Sequence, residues 1–152
     1  GGRLVVIQGP PDTSAAKLRL AGLQESLSAE YEIRTLAGDW TEASGEKALT
    51  GWLRLKTNEA FRPDIIVAQN DSMAVGARRA VSALMKEWDR VVYLGCDGLP
   101  EQGVRLVNQH QLAGTIVAPT TTGPALEMVS RWLKTGQLPP VETLLSAKPY
   151  PA

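Results

Sequence analysis

Short polar side chains stand directly after the apolar runs of this chain. Gln69, Asn70 and Asp71 follow Ile65-Ile66-Val67-Ala68, Asp97 follows Val91-Val92-Tyr93-Leu94-Gly95-Cys96, and Gln8 follows Leu4-Val5-Val6-Ile7. Asp39 and Trp40 stand after a weaker run at residues 31–36, and Arg19 lies one or two turns into the first helix. In an open α/β sheet the carboxyl ends of parallel strands share one edge, and ligands bind there. Such a collection suits a neutral polyhydroxylated ligand. Each hydroxyl both donates and accepts, so carboxylates, carboxamides and a guanidinium fork can satisfy it in pairs. Trp40 supplies an aromatic face for the C–H side of a sugar ring.

Each residue also has a purely structural reading. Asp71 reads first as a helix N-cap, and Asn70 divides between a cap and a ligand contact that compete for one oxygen. Asp97 before Gly98 could open a turn. Arg19 could be a solvated helix residue, Gln69 is undecided, and Trp40 could close the core as Trp52, Trp88 and Trp132 are expected to do from helices.

Signals for catalysis are poor. His110 sits in the polar run Asn108-Gln109-His110-Gln111, where a solvated loop residue is expected. There is no Gly-x-Ser-x-Gly elbow. Gly9-Pro10-Pro11-Asp12-Thr13-Ser14 lacks the Gly-Lys-Ser/Thr ending of a phosphate loop, and Gly-x-Gly-x-x-Gly is missing too. Asp39, Asp71 and Asp97 holding Mg²⁺ in an α/β enzyme is the minor alternative. The expectation is binding without chemistry, with no cofactor and no metal.

The elements needed to place these groups alternate along the chain. Residues 4–7 form a continuous apolar run, expected to be a strand buried on both faces. A helix then starts at Asp12 or Thr13 with a stripe of Ala16, Leu20, Leu23 and Leu27. Residues 31–36 suit an edge strand, because Glu32 and Arg34 alternate with apolar positions. Ala48, Leu49, Trp52 and Leu53 mark the next helix, residues 65–68 the third strand, and Met73 through Leu84 the clearest helical stripe. A strand at 91–94, a short helix at 101–107 and a strand at 114–117 follow. A helix carrying Leu126, Val129, Trp132 and Leu133 stops at Gly136, before Pro139-Pro140. Residues 143–145 are a brief strand candidate. The pattern specifies α/β: a doubly wound, mainly parallel sheet with helices on both faces.

With 152 residues one compact lobe is expected. Lys plus Arg and Asp plus Glu are 16 each, leaving no net field for a polyanion, so nucleic acid and anionic membrane are not expected partners. The single cysteine, Cys96, offers neither a disulfide framework nor a cysteine metal site and suits a small apolar filler. No apolar stretch approaches the roughly 20 residues that span a bilayer. Gly1-Gly2 opens directly before a strand, so any export signal is expected to be removed or to lie upstream.

The chain resembles the type I periplasmic binding proteins of the ribose-binding class and, more distantly, the effector domains of LacI-type repressors. The matching segments are Ile7-Gln8-Gly9 with Thr13-Ser14-Ala15-Ala16 and Arg19, Asp39-Trp40, residues 68–73 with Gly76-Ala77, residues 95–100, 112–116 and 133–136. The resemblance covers the C-terminal half of that family. It implies a lobe over 1–140, in which the strand and helix at 113–136 return to a missing N-terminal lobe, and a tail at 141–152 with a short strand. It also implies that Arg19 and Asn70 bond sugar oxygens, Asp97 accepts from paired hydroxyls and Trp40 stacks on the ring. Ala118 stands where the family often has Gln, and Thr120 is a possible substitute. The implied parent is an extracytoplasmic sugar receptor that partners an ABC-transporter membrane permease.

The repressor alternative would instead be cytoplasmic, and a membrane sensor shares the fold. Asp97-Gly98 and Leu112-Ala113-Gly114-Thr115 favour the transport-type reading. Without the first lobe, the helix at 122–135 is expected to fold back on its own lobe or pair with another copy, since its stripe would otherwise be an exposed apolar patch.

Overall fold

A computed structural model describes residues 2–56 and 60–152; of the Gly1-Gly2 opening, Gly1 lies outside the described residues. Strand β1 (Arg3–Gln8) buries Leu4, Val5, Val6 and Ile7, as its unbroken apolar run requires. It lies between β2 (Glu32–Ala37) and β3 (Ile65–Ala68), and β4 (Val92–Leu94) completes a parallel sheet in the order β2-β1-β3-β4. Strand β2 is at the edge, as its alternating charges led us to expect.

Three long helices connect these strands: α1 (Ser14–Ser26), α2 (Glu42–Leu53) and α3 (Asp71–Leu84). Because β2 is on one side of β1 and β3 is on the other, right-handed crossovers place α1 on one face and α2 with α3 on the opposite one. The α2/α3 face holds the main core, where Val5, Ile7, Ile66 and Ala68 meet Leu49, Met73, Ala77 and Val81. Trp52 and Phe61 seal it with an edge-to-face contact at 5.7 Å. The α1 face is thinner. Ala16 is buried there, but Leu20, Leu23 and Leu27 are only half-buried, and Val92 of β4 is exposed.

Helices α2 and α3 lie unusually close. A Cβ on Gly45 would come within 2.7 Å of Met73 Cα, and one on Gly76 within 2.7 Å of the Glu46 amide nitrogen. Only glycine fits at such a crossing.

After β4 the expected short helix appears in two parts, a π-helical turn (Pro100–Val104) running into α4 (Arg105–Asn108). Strand β5 (Thr115–Val117) continues the sheet edge through isolated parallel bridges, Leu94 to Gly114 and Asp97 to Val117. Helix α5 (Thr122–Thr135) follows and stops at Gly136 in the left-handed conformation, φ 73°.

Three expectations need correction. The tail strand is β6 (Lys148–Tyr150), antiparallel to β5, and not 143–145. It forms where Tyr150 pairs with Thr115 across the ladder and can bond Asn108 through its hydroxyl at 2.7 Å. Helix α5 has no buried residue, so it does not fold back on the lobe. Trp132, 41% exposed, therefore closes no core, whereas Trp52 and Trp88 are buried, Trp88 from the connection between α3 and β4.

Candidate functional site

Parallel strands put the ends of β1, β3 and β4 on one edge, and there Arg19, Trp40, Asn70 and Asp97 come together. Arg19 reaches from α1 over the end of β3, where Nη1 donates to the Gln69 carbonyl and Nη2 to Asp97 Oδ1 at 2.7 Å. The pair is neither sealed nor fully wet, with side chains 30% and 38% exposed. The guanidinium carbon also stands 5.6 Å from the Trp40 ring centroid. One cation thus links the tryptophan face to the carboxylate.

Two of these residues hold strained backbone. Trp40 has φ 59° and Asp97 φ 104°, conformations that L residues rarely adopt and that persist only when surroundings enforce them. Asp97 is clamped on both sides: its amide donates to the Ile116 carbonyl and its carbonyl accepts from the Ala118 amide, each at 3.0 Å. Trp40 is held by Asn70, whose Nδ2 donates to the Trp40 carbonyl at 2.8 Å. Its indole lies in the space a Cβ on Gly9 would fill. Glycine at position 9 is what seats the aromatic ring.

The motif at residues 69–71 divides its work differently from the sequence reading. Asn70, not Asp71, caps α3, with Oδ1 accepting from the Met73 amide at 2.9 Å. Gln69 is buried and committed: Oε1 accepts from the Gly9 amide at 3.0 Å and Nε2 donates to the Ala16 carbonyl at 2.9 Å. It ties the first loop to the end of β3. Asp71, 2% exposed, accepts from Thr115 Oγ1 at 2.6 Å and from the Gly98 amide at 2.8 Å. Burial raises its pKa, against the lowering effect of those two bonds. It is a hub joining α3 to the loop of Asp97 and to β5.

Sequence reasoning missed that hub and the seat of Trp40, although glycine signals marked both. A Cβ on Gly95 would lie 3.1 Å from Asp71 Cα, and one on Gly103 2.7 Å from Asp71 Cγ. Gln8 is half-buried at the end of β1, and Thr120 is exposed between β5 and α5. Asp39 is exposed beside the α2 cap, where Thr41 and Ser44 form a reciprocal capping box. Burial also raises the pKa of Cys96, which keeps the thiol protonated.

Among the described residues, no group of three or more His, Cys, Asp or Glu side chains could hold a metal ion. His110 is an exposed loop residue. What the edge offers is a carboxylate with a free oxygen, an oriented cation and an aromatic face, open on one side. These are the parts of a recognition surface for a polar, ring-shaped ligand.

The fold is an α/β lobe of parallel strands with this edge at their carboxyl ends. The periplasmic binding protein domain family matches residues 1–125, and the chain belongs to that family. The ribose import binding protein RbsB of Escherichia coli strain K12 is 36% identical over 118 residues, covering 76% of this chain and 38% of RbsB. The galactofuranose-binding protein YtfQ of the same organism is 25% identical over 151 residues, covering 97% and 47%. A solved structure, the fructose binding periplasmic domain of the hybrid two component system BT1754, superposes with a TM-score of 0.85 at 24% identity. It is covered over 49% of its length against 97% of this chain, and it shows the fold alone. The chain spans less than half the length of these curated relatives.

Proposed function

We propose that this chain is the second lobe of a sugar-binding receptor for an ABC-type carbohydrate transporter, and that it binds a monosaccharide or polyol without chemistry. The Arg19–Asp97 pair set beside Trp40 carries the proposal. Asp97 accepts from paired hydroxyls, Arg19 donates to a ring or hydroxyl oxygen, and Trp40 covers the apolar face. Asn70 contributes through its remaining hydrogen-bonding capacity and by fixing Trp40; Gln8 and Thr120 line the rim. The similarity to RbsB and YtfQ, whose names give ribose and galactofuranose as cargo, supports the ligand class.

In this reading residues 1–140 are the lobe, and the strand and helix at 113–136 return to a first lobe that closes over the ligand. The stripe of Leu126, Val129, Trp132 and Leu133, exposed here, is the face that meets it. In its absence the same stripe pairs two copies of the chain. The parent works outside the cytoplasm with a membrane permease.

Calorimetric titration of the two-lobed parent with pentoses, hexoses and polyols tests this. One sugar should bind saturably, and Asp97→Ala should abolish the heat while leaving the fold intact by circular dichroism. Binding unchanged in Asp97→Ala, or magnesium-dependent turnover of a phosphorylated substrate, would overturn the proposal.

A further inference from the structure

A second cavity lies away from the Arg19–Asp97 edge, at the other end of β4. Val92, which opens that strand, and Val91 just before it line the cavity, whereas Asp97 lies beyond its carboxyl end, roughly 16 Å along the chain from Val92 at strand rise. The cavity, of about 860 Å³ and open on one side, is bordered by the second half of α3, the chain following α4, and Tyr150. That volume falls in the range of small-molecule sites.

Three observations give it a chemical character. Tyr93 lines it and is 9% exposed, yet its hydroxyl has no hydrogen-bond partner among the described residues. The hydroxyl reaches solvent and is open to a ligand. Burial pushes the phenol up to about 12 while Arg78 pulls against the shift, so the group remains a donor at neutral pH and stands within the field of a guanidinium.

Arg78, half-buried in the same wall, is already oriented. Its Nη1 donates at 2.8 Å to the carbonyl of His110, a residue held at φ 56°. No other partner engages it among the described residues, which leaves the Nε and Nη2 edge, the side-on fork whose spacing matches a carboxylate. Lys86 adds a second positive charge, and the one lining carboxylate, Asp89, faces Arg62 at 3.9 Å. The remaining walls mix apolar side chains, Val81, Met85, Trp88, Val107 and Leu112, with the polar Ser82, Asn108, His110 and Gln111.

We propose that this cavity is a second binding site, separate from the sugar edge, for a small organic carboxylate with an apolar body. The carboxylate meets the Arg78 fork and the Tyr93 hydroxyl, and the body packs against Trp88 and its aliphatic neighbours.

The test titrates the 152-residue chain with 4-fluorobenzoate and follows ¹⁹F relaxation, with neutral 4-fluorobenzyl alcohol alongside. The benzoate should bind saturably and at least tenfold more tightly than the alcohol. Arg78→Gln and Tyr93→Phe should each weaken it at least fivefold and leave the alcohol unchanged, while Arg131→Gln on α5 has no effect. Tyr93→Phe removes only a hydroxyl, so it reports even if the arginine variant does not fold. Equal binding of acid and alcohol, no saturable binding, or wild-type affinity in Tyr93→Phe would each overturn the proposal.

Discussion

The crossing of α2 and α3 provides a sharp test of how this fold positions its site. Replacing Gly76 by alanine adds one methyl group, which would fall on the Glu42 carbonyl oxygen, 2.7 Å from the Glu46 nitrogen and 2.9 Å from the Glu42 carbonyl carbon. All of these are backbone atoms, so no side chain can turn aside. The helices must separate by roughly 1 Å, and a gap of that size forfeits about a quarter to a half of each dispersion contact across the interface. Overpacking of this kind costs about 1–3 kcal/mol, offset by about 1 kcal/mol from the better helix propensity of alanine.

Gly51, also in α2, isolates the second term, because a Cβ there meets nothing within 4 Å. Gly51→Ala should stabilise by about 0.5–1 kcal/mol. Urea unfolding should therefore place the two variants on opposite sides of wild type, or at least about 1 kcal/mol apart. The separation also bears on function. Asn70 at the start of α3 bonds the Trp40 carbonyl just before α2, so spreading the helices pulls on the bond that holds the tryptophan. If Gly76→Ala proves as stable as Gly51→Ala, the close crossing is not as described and the reasoning fails.

Asn70→Ala should cost about 1–2 kcal/mol for the lost cap and also alter the near-ultraviolet signal of Trp40, as it removes both bonds of one side chain; an unchanged tryptophan signal would refute the link. Asp71 should show pH linkage. Its folded pKa lies above 3.8, so its contribution is full at lower pH and is lost as pH rises through the folded value. The stability of wild type relative to Asp71→Asn should therefore fall as pH climbs through that window, and a gap that widens instead would contradict the assignment. Trp132→Lys should weaken self-association of the isolated chain in sedimentation equilibrium, because it charges the centre of the exposed α5 stripe; identical association would place the contact elsewhere.

The sheet was legible because β1, β3 and β4 are continuous apolar runs and β2 alternates as an edge strand does, and the order of βα units leaves few ways to wind them. Helix α3 was legible for the same kind of reason, its buried stripe being nearly unbroken from Met73 to Val81. The tail strand was not. Residues 148–150 are interrupted by Pro149 and followed by Pro151, and they join β5 through tertiary contact, which no local pattern encodes. At the site, the convergence of Arg19, Trp40 and Asp97 followed from placing strand ends on one edge. The exchange of roles between Asn70 and Asp71 did not, because both residues are good caps. What decided it was space: glycines at 95 and 103 open a pocket at Asp71, and Thr115 and the Gly98 amide fill it with donors.

The pairing of β5 with β6 makes everything between them a detour. The chain leaves the lobe after Val117 and rejoins it at Lys148, so about thirty residues, α5 among them, depart and return at one doorway. Closing a segment of that length carries a length-dependent entropy cost of about 3 kcal/mol, met by a ladder only three residues long. A protease that cuts within α5 would therefore leave the sheet and the Arg19–Asp97 edge folded, with Tyr150 still docked against Asn108. The lobe and its detour should come apart in hydrogen exchange as two units, the detour opening first.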